Sequence, residues 1–138
     1  MQPKLPEPIA PNQVRVRKIL VVDDEAPFTR LLKINLESTG RYLVQVENDP
    51  LLALPAALSF GPDLVVLDVM MPGMDGGDVA SGFNQHAVLK RIPIIFLTAT
   101  VRHSEVDDHV GNFGGLRFLA KPVNLSELLT CLDTHFGG

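Results

Sequence analysis

The 138-residue chain contains one cysteine, Cys131, which excludes an internal disulfide and any metal site built from several thiolates. Filling the core of a C-terminal helix is its expected use. Long apolar runs are also missing. Ile19 to Val22 and Leu64 to Leu67 are strand-sized, far below the ~20 residues that a membrane-crossing helix needs, so no membrane partner is expected. The N-terminus lacks a charged start, an apolar stretch and a small-residue cleavage site. Pro3, Pro6, Pro8 and Pro11 stand there instead, and a cytoplasmic location is the expectation. Basic residues are outnumbered, 12 against 16 acidic for a net charge of -4. They form no dense stripe, so direct nucleic acid binding is not expected of this chain. The four histidines, His86, His103, His109 and His135, lack a metal-binding spacing.

What the chain does contain is an alternation. Residues 1–13 are proline-spaced and poor in apolar side chains, so they read as a flexible tail, and residues 14–138 read as one domain. Within that domain, short β-rich apolar runs at about 17–22, 42–46, 63–67, 93–97 and 116–119 alternate with helical patterns. This predicts an α/β protein with a parallel sheet. The first helix opens near Pro27, places Phe28, Leu31, Leu32 and Leu36 on one face, and stops at Gly40. The second opens at Asp49-Pro50, with a kink or late start expected at Pro55. Gly76, Gly77 and Gly82 dilute the third helix, and Gly111, Gly114 and Gly115 shorten the fourth. The last opens at Asn124 with Glu127 three residues on, and carries Leu125, Leu128, Leu129, Leu132 and Phe136 as its stripe. Only Gly137 and Gly138 follow it, so no output domain is expected in this chain.

In an open parallel sheet, functional groups gather outside the carboxyl ends of the strands. Strand one ends in Asp23-Asp24, strand three in Asp68, strand four in Thr98, and strand five just before Lys121. Alone, each has an ordinary use as a helix cap, a strand end or a solvated charge. Three carboxylates at one rim repel each other unless a cation intervenes. Lysine and Mg²⁺ are the cations that suit an all-oxygen donor set.

These residues, in the segments "ILVVDDE", "DLVVLDVMMPGMDG", "PIIFLTA" and "FLAKP", resemble the response-regulator receiver family of two-component signalling, from about Lys18 to Phe136. The resemblance implies a flavodoxin-like, doubly wound five-stranded parallel sheet of order 2-1-3-4-5 with five flanking helices. It implies Asp68 as phosphoacceptor, with Lys121 and Thr98 binding phosphoryl oxygens and the Val69 and Ala99 amides holding the group. Asp23, Asp24, Asp68 and the Met70 carbonyl would hold Mg²⁺, with Mn²⁺ as a substitute. Thr98 and Phe118 would form a switch, and Lys121-Pro122 is a candidate cis peptide. The partner implied is a sensor histidine kinase or a histidine phosphotransfer domain. The chain would then catalyse its own phosphorylation without turning over an external substrate.

The resemblance also implies that Met70 and Thr100 flank the path of a hydrolytic water; neither is a good general base, so slow loss of phosphate is expected. Met70 also disfavours a haloacid-dehalogenase-type phosphatase, which places a second aspartate there. Asp23-Asp24-Glu25 disfavours a flavin carrier by repelling its phosphate. A scaffold that keeps the acidic pocket without using it is a third reading.

Overall fold

The computed structural model describes residues 15–98, 110–113 and 116–137; the expected tail lies outside them. Six strands form one sheet: β1 Arg17–Val22, β2 Tyr42–Glu47, β3 Leu64–Asp68, β4 Ile94–Thr98, β5 Val110–Phe113 and β6 Leu116–Ala120, in the order β2-β1-β3-β4-β6-β5. The five strands anticipated from sequence are all parallel, and their order is 2-1-3-4-5. Ile19–Val22 and the whole of β3 are buried without alternation, as expected of central strands covered on both faces.

Neighbouring residues of these strands enter opposite cores. On one face Ile19, Val21, Leu64 and Val66 pack with Leu32 and Leu36 of α1 (Ala26–Glu37) and Leu128 and Leu132 of α4 (Leu125–His135). On the other, Leu20, Val22, Val65 and Leu67 pack with Ala57 of α2 (Ala53–Phe60) and Val79 and Phe83 of α3 (Gly76–Asn84). Each fully buried leucine of this kind contributes ~1.5–3 kcal/mol.

Local chemistry sets the helix ends. Pro27 lies in the first turn of α1, where its missing amide has no helical partner to lose. The buried stripe is Thr29, Leu32 and Leu36. Leu31, expected on that face, is 58% exposed. The Asp49 carboxylate accepts from the Leu51 amide at 2.9 Å and starts a 3₁₀ turn over Pro50–Leu52. The α-helix begins only at Ala53, so Pro55 falls in its first turn, and the late start accommodates it. Asn124 caps α4 by accepting from the Glu127 amide at 3.1 Å, an arrangement worth ~1 kcal/mol.

The expected fourth of five helices falls mostly on residues outside the described set. Four α-helices are present among the described residues, and Val110–Phe113 forms β5, antiparallel to β6 with Val110 opposite Leu119 and Phe113 opposite Leu116. A helix ending at the glycines was the reading from sequence. The edge of β6 rewards strand pairing. Residues 99–109 lie outside the described set.

Candidate functional site

β1, β3, β4 and β6 are consecutive neighbours in the sheet, so the residues at their carboxyl ends share one rim. Asp23 follows β1, Asp68 ends β3, Thr98 ends β4 and Lys121 follows β6. The rim is registered by backbone bonds: the Lys121 amide donates to the Thr98 carbonyl at 2.9 Å, and the Val69 amide to the Leu97 carbonyl at 2.9 Å. The Lys121–Pro122 peptide is cis.

Lys121 is the centre of the site. Its Nζ lies 2.7 Å from Asp23 Oδ2, 3.0 Å from Glu25 Oε1 and 3.5 Å from Asp68 Oδ1, and 4.9 Å from the centroid of the Phe28 ring. Burial alone would depress the lysine pKa. The carboxylates of Asp23 and Glu25, and the charge of Asp68, outweigh burial and raise it above the ordinary lysine range. Lys121 is therefore a permanent cation here. The Asp68 carboxyl is pushed up, first by burial and then by the charge of Asp23, against opposing pulls from Lys121 and the Met70 amide. A second cation would relieve that repulsion.

Asp23 and Asp68 are buried, while Asp24 is exposed. The turn after β1 explains the difference. Asp23 Oδ1 accepts from the Glu25 amide at 3.0 Å, and Asn48 Nδ2 donates to the Asp23 carbonyl at 2.8 Å. This folds the chain so that Asp23 points inward and Glu25 reaches back to Lys121. Carboxylate oxygens of Asp23, Glu25 and Asp68 lie within 4.8 Å of one another. Asp24 is not in that group, and Glu25, which the sequence reading passed over as a site residue, is.

The donor chemistry fits a hard divalent cation. It is all oxygen, and the buried Asp23 Oδ2 has no aligned hydrogen bond even with Lys121 Nζ 2.7 Å away. Met70 is 61% exposed, and its amide, rather than that of Val69, faces Asp68 Oδ1, at 3.3 Å. The Val69 amide, expected to hold a phosphoryl group, is engaged by Leu97. Thr98 is buried. Phe118 is half-buried and stacks on Phe96 with centroids 5.1 Å apart. Ala99 and Thr100 lie outside the described residues.

The loop between Asp68 and α3 is closed by Gly76, whose amide donates to the Val69 carbonyl at 2.8 Å. The Asp75 side chain caps the helix by accepting from the Asp78 amide at 2.9 Å. Among the described residues, no helix is long and apolar enough to cross a membrane.

Comparison with known proteins gives a consistent result. The chain is 40% identical over 113 residues to the alkaline phosphatase synthesis transcriptional regulatory protein PhoP of Bacillus subtilis, covering 81% of this chain and 45% of the relative. It is 33% identical over 114 residues to the DNA-binding dual master transcriptional regulator RpaA of Synechocystis, covering 81% and 46%. The chain thus spans about half the length of these curated relatives. Among solved structures, it resembles a putative response regulator from Chloroflexus aurantiacus with TM-score 0.73 and 30% identity, over 87% of this chain and 97% of that one. The chemotaxis protein CheY4 of Vibrio cholerae matches with TM-score 0.72 and 28% identity, over 86% and 98%. Residues 19–133 match the response regulator receiver domain, and the chain belongs to that family.

Proposed function

We propose that the chain accepts a phosphoryl group on Asp68 from a phosphohistidine of a sensor histidine kinase or histidine phosphotransfer domain, with Mg²⁺ as cofactor. The observation that carries this reading is the approach of Lys121 Nζ to both Asp23 and Asp68, at 2.7 and 3.5 Å, inside a buried rim of carboxylates. A permanent cation beside a buried carboxylate is positioned to hold a phosphoryl oxygen while that carboxylate attacks.

Asp23 and Asp68 would hold Mg²⁺, or Mn²⁺ in its place, with exposed Asp24 and the Met70 carbonyl as further donors. When bound, the ion neutralises charge on the carboxylates and on the phosphoryl oxygens. An Asp68 carboxylate oxygen forms the new bond to phosphorus as the bond from phosphorus to the histidine nitrogen breaks, and the departing electron pair stays on the imidazole. The product is an acyl phosphate. Lys121 binds one phosphoryl oxygen, Thr98 another, and the Met70 amide, already aimed at Asp68, faces a third. The Ala99 amide is the remaining proposed donor.

Signal transmission is proposed to run through Thr98 and Phe118. Movement of the Thr98 hydroxyl toward the phosphoryl group vacates space beside β6, and the Phe118 ring, stacked on Phe96, turns into it. The target reached in this way is a protein surface rather than DNA, in keeping with the net charge of -4. The exposed, apolar Met70 side chain orients a hydrolytic water poorly, so the acyl phosphate is lost slowly. The site works on its own aspartate in the cytoplasm, and no external substrate is turned over.

Incubation with Mg²⁺ and a labelled phosphorylated kinase or phosphotransfer domain tests the reading. Label should appear on the wild type, depend on the metal, and be absent from Asp68→Asn. Undiminished labelling of that variant would move the acceptor elsewhere, and no labelling from any phosphodonor would leave a passive scaffold.

A further inference from the structure

We propose, resting on Asp68 as the phosphoacceptor, that Glu25 is a positioning residue. It holds Lys121 in the unphosphorylated protein and surrenders it to the incoming phosphoryl group. An ammonium has three N–H donors, and three carboxylates lie within 3.5 Å of this one: Asp23 at 2.7 Å, Glu25 at 3.0 Å and Asp68 at 3.5 Å. The Lys121 ammonium donates to Glu25 Oε1 at 3.0 Å, so a phosphoryl oxygen that enters this shell competes with Glu25 for the ammonium.

Burial decides which one. The Asp23 side chain is 0% exposed, so its release would leave a buried, unpaired charge. Asp68 carries the phosphoryl group itself. The Glu25 side chain is 63% exposed, and water replaces the ammonium at little cost when it turns outward. Its backbone stays in place through the bond from the Glu25 amide to Asp23 Oδ1, so only the side chain swings. Phe28 supports the ammonium from the ring side at 4.9 Å, and Lys121 can change partners without moving far. Outward rotation also removes a negative charge from the path of an anionic group. Glu25 thereby acts as a brake on phosphoryl binding.

The experiment uses the full chain at saturating Mg²⁺, with beryllofluoride as the phosphoryl probe, followed by amide chemical shifts, and with Mg²⁺ affinity measured separately. Glu25→Gln removes the charge. Glu25→Asp keeps it, but is one methylene too short to hold Lys121 from the same backbone position. Both variants should bind beryllofluoride about two to five times more tightly, the range that an exposed ion pair corresponds to. Glu25 stands in the carboxylate cluster through its pair with Lys121, and the ion is left to the buried Asp23 and Asp68, so Mg²⁺ affinity should stay within about twofold of wild type. Tightening in Glu25→Gln with wild-type behaviour in Glu25→Asp would reduce the effect to bulk charge and overturn the proposal. A large loss of Mg²⁺ affinity would make Glu25 a ligand and overturn it as well. Wild-type protein that neither binds beryllofluoride nor labels at Asp68 would instead sink the phosphoacceptor reading, and this inference with it.

Discussion

Gly76 and Val69 are joined by a 2.8 Å bond from the Gly76 amide to the Val69 carbonyl, and the approach leaves no room for a side chain. A Cβ on Gly76 would overlap the Asp68 carbonyl oxygen and lie 2.9 Å from Val69 Cα. Gly76→Ala should therefore cost ~1–3 kcal/mol in denaturant unfolding. It should also slow Asp68 phosphorylation by a small phosphodonor, because the displaced backbone carries the Met70 amide. Wild-type stability and rate would show that the loop has room to give.

Lys121 compensates two buried carboxylates, Asp23 and Asp68. Removing only the cation leaves those charges unpaired, so Lys121→Met should lower metal-free stability by ~3–5 kcal/mol. Mg²⁺ should restore part of it, since the ion supplies the missing charge and a ligand of the native state stabilises that state. Thermal unfolding with and without Mg²⁺ checks this. A variant that is destabilised equally in both conditions would contradict the electrostatic account.

The hydroxyl of Tyr42 donates to Asp133 Oδ1 at 2.5 Å, which ties β2 to α4 far from the rim. Burial, then the bond to Asp133 and its charge, push the phenol pKa well above its ordinary 10.0. The folded value lies above the unfolded one, so the stabilisation is complete below about pH 10 and is lost as pH rises through the folded pKa. The chain has one tyrosine and no tryptophan, so ultraviolet titration reads this group directly. Ionisation should be delayed to strongly alkaline pH and should move down in Asp133→Asn. A midpoint near 10 in the folded wild type would remove the latch.

Most of the architecture could be read from sequence because the central strands carry continuous apolar runs, Ile19–Val22 and Leu64–Leu67, and turn-shaping residues stand at several helix starts. Asn124 with Glu127, and Asp49 with Pro50, are local signals, and they produced local structure at those positions. Val110–Phe113 carries no such signal. Its strand state depends on the edge of β6, a partner that no short window contains. The same division holds at the rim. Asp23, Asp68, Thr98 and Lys121 are strand-end residues, and strand ends were visible. Glu25 reaches Lys121 only because Asp23 Oδ1 captures its amide and bends the chain, so the sequence favoured Asp24 as the inward neighbour. The ladder bond of the Val69 amide to Leu97 is set by sheet register in the same way, and no short window shows it.

Phe118 stacks on Phe96 at an interplanar angle of 21°, and the proposed switch requires that stack to loosen when Asp68 is modified. Phe118→Ala should leave phosphorylation of Asp68 nearly unchanged while abolishing the beryllofluoride-induced shifts on β6. It should also cost ~1–3 kcal/mol of stability, less than a fully buried phenylalanine would, because Phe118 is only half-buried. Persistence of those shifts in the variant would show that transmission runs by another route.

The central claim is that the Asp68 carboxylate forms the bond to phosphorus, and borohydride trapping tests it most directly. Reduction of an aspartyl phosphate converts that residue to homoserine, which peptide mapping locates. After Mg²⁺-dependent phosphorylation, homoserine should appear at position 68 alone, and at no position when the metal is withheld. Homoserine at 23 or 24, or a stable label at any residue with position 68 still aspartate, would contradict the assignment.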